Sequence, residues 1–206
     1  MNEQPPASSA MLPTPSLERR GKRIAIAITG SSGAVYAMDF LRRCPHEKFV
    51  IVSKWGKAVV KDELNLPDPL VAIAPLCKKI FSDSDLTAPL ASGTNHIDAL
   101  VVLPASTSTI GKIASGIGDT LITRTAAVCL KERRTIILCV RETPLSTITL
   151  RQCAELSSEG VIIMPISPPL YFVPATVEEY IQGFVDKVLA HVGIEAGNGW
   201  RSEELE

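Results

Sequence analysis

The stretch KRIAIAITGSSGAVYA, residues 22–37, decides the fold. Residues 22–28 are near-continuously apolar and β-branched, the pattern of a parallel strand covered on both faces. The run stops at Thr29, turns through Gly-Ser-Ser-Gly and resumes as AVYAMDFLRRC (34–44) with helical spacing. That spacing puts Tyr36, Phe40 and Leu41 inside and Arg42 and Arg43 near the C-terminal end, where cations suit the helix dipole. A strand, a tight polar turn and a helix open a βαβ unit. The alternation continues outward from it. FVIVS (49–53), DALVVLPAS (98–106), TIILCV (135–140) and VIIMP (161–165) read as strands. KWGKAVVKDEL (54–64) reads as a helix, residues 107–134 as helix, Gly-containing break and helix, and STITLRQCAELSSEG (146–160) as a helix ending at Gly160. TVEEYIQGFVDKVLAHVG (176–193) is an amphipathic closing helix, with Thr176 as N-cap and Glu179 completing a capping box. Residues 65–95, broken by Pro67, Pro69, Pro75 and Pro89, read as short pieces and loops. The expectation is one α/β domain over 22–193 with a parallel, doubly wound sheet.

Composition narrows the class. The 206-residue chain carries a formal net charge of −1. Neither that balance nor a pI near 6.3 suggests a nucleic-acid or anionic-membrane partner. Apolar residues make up 46% of it and the mean hydropathy is +0.20, so either the core is large or apolar surface is buried between subunits. Apolar runs fall far short of the ~20 residues a membrane helix needs. Residues 1–21 hold three Pro-containing clusters and no apolar signal-peptide core, and read as a disordered extension; residues 194–206 read as a tail containing Trp200. Five cysteines, odd in number and without a C-x-x-C pair, read as reduced thiols in a cytoplasmic protein. His46, His96 and His191 show no ligand spacing, so no metal site is expected.

In a doubly wound sheet, ligands sit outside the carboxyl ends of the strands, near the point where strand order reverses. The rule selects TGSSG (29–33), SKW (53–55), PASTST (104–109) and RETPLS (141–146). Gly30 and Gly33 permit positive φ and close approach, Ser31 and Ser32 add hydroxyls, and the loop feeds a helix N-terminus that suits an anion. It is neither G-x-G-x-x-G nor a Walker loop, which argues against dinucleotides and nucleoside triphosphates. A plain βα turn fits it equally well. The second hydroxyl-rich turn, Ser106 to Thr109, at the same sheet edge points to a phosphate and a polar ring system. Arg141 suits an anion or a polar ring edge and Glu142 a proton, though a solvated loop start would look the same. The cations of LKERR (130–134) are also what the dipole of a helix end attracts. Tyr171, in the stiff PPLYFVP loop after the last strand, is placed on the ligand edge.

TGSSGAVYA, IVSKW, ASGT, STSTIGKIASGIGDTLITRTAAVCLKERRTIILCVRETPLS, GVIIMP and YFVPATVEE, in this order, resemble the UbiX-type flavin prenyltransferases from about residue 22 to 190. The resemblance implies a Rossmann-like (flavodoxin-like) three-layer fold and homo-oligomers, often dodecamers built from trimers, with FMN at subunit interfaces. It implies transfer of a dimethylallyl group from dimethylallyl phosphate to N5 and C6 of reduced FMN, without a metal. The prenylated FMN then serves a UbiD-type decarboxylase. By position, Gly30, Ser31, Ser32, Ser53, Ser106, Thr107, Ser108, Thr109 and Arg141 would bind FMN, with Arg124 from a neighbouring subunit. Tyr171, Lys187, Lys131 and Glu142 would meet the prenyl phosphate. Ser32, Glu63, Lys131 and Glu142 would serve catalysis, Glu63 by helping to remove a proton.

The chain departs from the family pattern at Lys187, where Arg is usual and the bidentate fork is lost. It departs also at Leu86 in place of Trp, in "PAS" for "PCS", and at Val140 for Pro. Two alternatives share the fold: an FMN-binding redox or carrier protein, and a flavin-dependent decarboxylase of the cysteine-decarboxylase group. The latter uses a His upstream of a motif like LPASTST, and His96, eight residues before Pro104, is too close for it.

Overall fold

Six parallel strands form one sheet: β1 (Arg23–Ile28), β2 (Glu47–Val52), β3 (Lys79–Ser82), β4 (Ala99–Ala105), β5 (Thr135–Val140) and β6 (Ile162–Pro165), in the order β3-β2-β1-β4-β5-β6. This computed structural model describes residues 21–194, so the expectations for residues 1–20 and 195–206, Trp200 included, lie outside the described residues. The order reverses between β1 and β4, both central and almost wholly buried.

The apolar run that opens the domain splits between two cores. Ile24, Ile26 and Ile28 pack with Phe40, Leu41, Phe184 and Val188 beneath α1 (Ala34–Arg43) and α7 (Val177–His191). Ala25 and Ala27 face the other way, toward Ile110, Leu121 and Ile122 of α4 (Thr107–Ala114) and α5 (Leu121–Lys131). Successive residues of a strand point to opposite faces, so a run buried on both sides reads as continuous hydrophobicity. The remaining helices, α2 (Lys54–Glu63), α3 (Pro69–Ile73) and α6 (Thr147–Ser158), complete the outer layers through Val60, Ile73 and Leu156. The result is a three-layer Rossmann-like fold. Among the described residues, no helix is long and apolar enough to cross a membrane.

The structure corrects two expectations. Residues 65–95 contain a sixth strand, β3, which pairs only with β2 and buries only Phe81, so it leaves no apolar run to read. Two of their prolines start elements: Pro89 opens a short turn at 89–91, and Pro69 sits in the first turn of α3, behind Asp68, whose carboxylate accepts from Leu70 N at 2.9 Å. At α7, Thr176 Oγ1 accepts from Glu179 N at 3.1 Å, but the Glu179 carboxylate reaches back to Ala175 N (2.7 Å) instead of closing the box on Thr176. A reciprocal box does form at α5, between Thr120 and Thr123.

Candidate active site

The carboxyl ends of β1 and β4 are tied by Thr29, whose hydroxyl donates to Pro104 O (2.7 Å) and accepts from Ser106 N (2.8 Å). Above this clamp lies a cleft of about 310 Å³, lined by Gly30, Ser53, Lys54, Trp55, Ser106, Ser108, Thr109 and Lys112, among others. Five residues expected from the sequence therefore meet in one place: Gly30, Ser53, Ser106, Ser108 and Thr109. Two of their hydroxyls also cap helices. Ser53 Oγ accepts from Gly56 N at 2.9 Å to start α2, and Ser106 Oγ accepts from Thr109 N at 3.3 Å to start α4. The backbone N–H groups of Thr107 and Ser108, in the first turn of α4, have no hydrogen-bond partner among the described residues. Free N–H groups, the helix dipole, four hydroxyls and two lysines form a donor set that fits a phosphate. The chemistry of this cleft is thus compatible with the phosphate end of FMN, while Trp55 and Ile122 supply apolar wall.

The N-terminus of α1 is different. Both Glu63 carboxylate oxygens accept from Gly33 N (2.9 and 3.1 Å), and one also accepts from Ala34 N (2.8 Å). The anion expected at the TGSSG turn is supplied by the chain itself, from the last residue of α2. The α1 N-cap is Gly33 at φ 115°, a conformation that suits glycine, and it provides no side-chain cap. Gly30 is needed for a different reason, since a Cβ there would stand 2.5 Å from Trp55 Cβ. Ser31 is buried and donates to Arg141 O at 2.5 Å, joining the β1 and β5 loops. Ser32 keeps its hydroxyl free among the described residues. Arg141 and Glu142 are both exposed at the end of β5, and Glu142 accepts from Thr143 N at 3.0 Å. Half-buried Tyr36 lies nearby; burial raises its hydroxyl pKa, Tyr180 adds to the rise and the Arg141 charge opposes it.

The other expected residues are not brought to this cleft within one chain. Phe172 packs on α7 at Gly183, where a Cβ would stand 2.3 Å from Phe172 Cζ. The loop after β6 therefore runs back along α7, and Tyr171 leaves the ligand edge on which the sequence placed it. Tyr171 meets Lys187, whose Nζ is 5.9 Å from the ring centroid, next to Asp186, which pairs with Arg43 at the far end of α1. Expected partners Tyr171 and Lys187 are thus together, on the outer side of α7. Lys131 ends α5 at the opposite edge of the sheet, four residues before β5, and pairs with Glu132. Arg124 is exposed and donates through Nε to Ala91 O at 3.1 Å. His96, three residues before β4, has a 67% exposed side chain at that same opposite edge, which removes it from the cleft.

Several cleft residues escape the sequence reading. Asp83 caps α5, its carboxylate accepting from Ile122 N (2.9 Å), but it follows the strand the sequence does not reveal. Lys112 pairs with Asp119 at 2.7 Å, and that hydrogen bond holds the Asp119 carboxyl below its ordinary pKa. Trp55 lies in SKW, which the strand-end rule selects, yet nothing in the sequence marks the ring as lining a cleft.

The sequence matches the Flavoprotein family over residues 13–191. It is 42% identical to the flavin prenyltransferase UbiX of Thermoplasma acidophilum over 173 residues, covering 84% of this chain and 95% of that one. AnUbiX (PadA1), solved in complex with FMN and dimethylallyl pyrophosphate, superposes with a TM-score of 0.83 at 36% identity, over 88% of this chain and 100% of that one. A dodecameric FMN-dependent UbiX-like decarboxylase from Escherichia coli O157:H7 gives 0.82 at 32% identity, over 87% and 99%. The chain belongs to the Flavoprotein family and, within it, to the flavin prenyltransferases of the UbiX type.

Proposed function

We propose that the chain joins the dimethylallyl group of dimethylallyl phosphate to N5 and C6 of reduced FMN, giving prenylated FMN for a UbiD-type decarboxylase. The observation that carries this reading is the cleft at the β1/β4 switch point, with phosphate donors on α4 and apolar wall at Trp55. Ser53, Ser106, Ser108, Thr109 and the free N–H groups of Thr107 and Ser108 hold the phosphate end of the flavin. Reduced FMN supplies the nucleophilic N5 and C6. The C–O bond of the allylic phosphate breaks, its electron pair leaves with the phosphate, and N5 bonds to the freed carbon as it loses its proton; the remaining alkene takes up that proton, C6 bonds to the tertiary carbocation so formed, and C6 then gives up its own proton. Lys187, Lys131 and the Tyr171 hydroxyl stabilise that departing anion where its charge develops. Glu142 accepts a proton displaced from the ring, and Ser32 offers a hydroxyl beside it. Holding donor and acceptor face to face supplies proximity.

Because Lys131, Tyr171 and Lys187 lie away from the cleft, the complete site needs further copies of the chain. A homo-oligomer brings them to another chain's cleft, and the dodecameric relative supports this assembly. Five free cysteines fit a reducing cytoplasm. The test is anaerobic incubation of the protein with reduced FMN and dimethylallyl phosphate, followed by mass spectrometry of the flavin. A gain of one C5 unit is expected, and an unchanged flavin mass would refute prenyl transfer. The diphosphate, run in parallel, identifies the preferred donor.

A further inference from the structure

Trp55 is 67% exposed although it stands in the wall of the cleft, beside Gly30, Ser53 and Ser106. Its position is set from three sides. Ser53 caps the helix one residue before Lys54, so Trp55 enters at the first turn of α2. Gly30 leaves the space against which Trp55 Cβ packs, and the Lys54 ammonium lies 5.3 Å from the indole centroid. The hydroxyls and free N–H groups of α4 form another wall of the same cleft. An indole anchored at its base and open on its surface, beside a phosphate-binding wall, suits a flat aromatic group joined to a phosphate. Resting on the flavin reading above, we propose that Trp55 contacts the isoalloxazine ring of FMN, and that Gly30 makes room for it to do so.

Trp55 thereby sets flavin affinity through the ring, while the α4 turn sets it through the phosphate. The experiment compares FMN with riboflavin, which lacks the phosphate, on the full chain. Dissociation constants are measured by flavin fluorescence for wild type, Trp55→Phe and Trp55→Ala, with the oligomer mass recorded for each. Loss of an aromatic contact predicts about tenfold weaker binding of both ligands to Trp55→Ala, with Trp55→Phe within about threefold of wild type. The chain has two tryptophans, so a Trp200→Phe variant isolates Trp55, whose emission saturating FMN should quench. This readout needs no change at Trp55 and survives misfolding of the alanine variant. Unquenched Trp55 emission, or wild-type affinity in Trp55→Ala, overturns the proposal. So does a loss confined to FMN, or a changed oligomer mass at unchanged affinity, which would mean that a second copy covers the indole. A wild-type protein that binds neither flavin would instead bring down the flavin reading itself.

Discussion

Replacing Glu63 by Ala removes the carboxylate that closes the N-terminus of α1. Three hydrogen bonds go with it, two to Gly33 N and one to Ala34 N, between 2.8 and 3.1 Å. No side chain of the Gly30–Gly33 turn takes their place, because the N-cap is a glycine. A lost cap costs about 1 kcal/mol, and the lost charge at a helix N-terminus costs a further ~0.3–1 kcal/mol. Water reaches the exposed site and satisfies part of the vacated N–H groups, so the total stays at about 1–2 kcal/mol. For a domain of this size that corresponds to a melting point lowered by roughly 3–6 °C. Glu63→Gln keeps an oxygen that can accept from Gly33 and loses only the charge, so it should lose about half as much. The assay is thermal unfolding of wild type and both variants at one fixed protein concentration, since assembly shifts the midpoint. An alanine variant melting within a degree of wild type would refute the capping role, and so would a Gln variant as damaged as the Ala one.

Other consequences can be measured as directly. Gly183→Ala drives a methyl into the Phe172 ring, which stands 2.3 Å from that Cβ position, and should displace the Tyr171 loop. Its KM for the prenyl donor should rise by about tenfold or more while FMN affinity holds; equal losses would contradict the separation of the two regions. Burial pushes the Cys129 thiol up to about 12, so only about one part in ten thousand is thiolate at pH 8. It should therefore resist alkylation until the protein unfolds, and labelling in the native state would count against this. Burial works against the Asp98 carboxylate, but the Arg23 N–H at 2.7 Å, the His96 ring and the Lys22 charge together outweigh it and hold the carboxyl below its ordinary 3.8. A depressed carboxyl stabilises the fold above its unfolded value and loses that contribution as pH falls through the folded one. Asp98→Asn should thus flatten acid unfolding below pH 4, losing about 1–2 kcal/mol at neutral pH; an unchanged acid limb would disprove the linkage.

Where burial and local chemistry carried the signal, the sequence was readable. Ile24 to Ile28 is an apolar run because both faces of β1 are covered, and the start of α7 follows from Thr176 acting as its cap. Edge strand β3 was not readable, because it buries one side chain and so shows neither an apolar run nor clear alternation. The hydroxyls at the strand ends were visible as a group. Their division of labour was not, since a serine that caps a helix and one that meets a ligand occupy the same turn. Glu63 shows the same limit at longer range: its contact with Gly33 spans 30 residues and depends on how α2 is laid against α1. The retreat of Tyr171 along α7 depends on Phe172 finding Gly183, a contact between residues with no local pattern in common.

The cleft lies at the β1/β4 strand ends, while Lys131 and the Tyr171–Lys187 pair lie elsewhere on the chain, so the proposed reaction calls for a site shared between copies. Subunit complementation tests this most directly. Glu142→Gln disables the strand-end side, at the loop after β5, and Lys131→Ala the remote side, and each alone should transfer almost no prenyl group to reduced FMN. Co-expressed with different tags and purified as mixed oligomers, they should regain about a quarter of wild-type activity, since a random pairing joins an intact Glu142 to an intact Lys131 one time in four. Mixed oligomers as inactive as either parent would contradict the shared site, and a fully active Lys131→Ala variant would remove Lys131 from it.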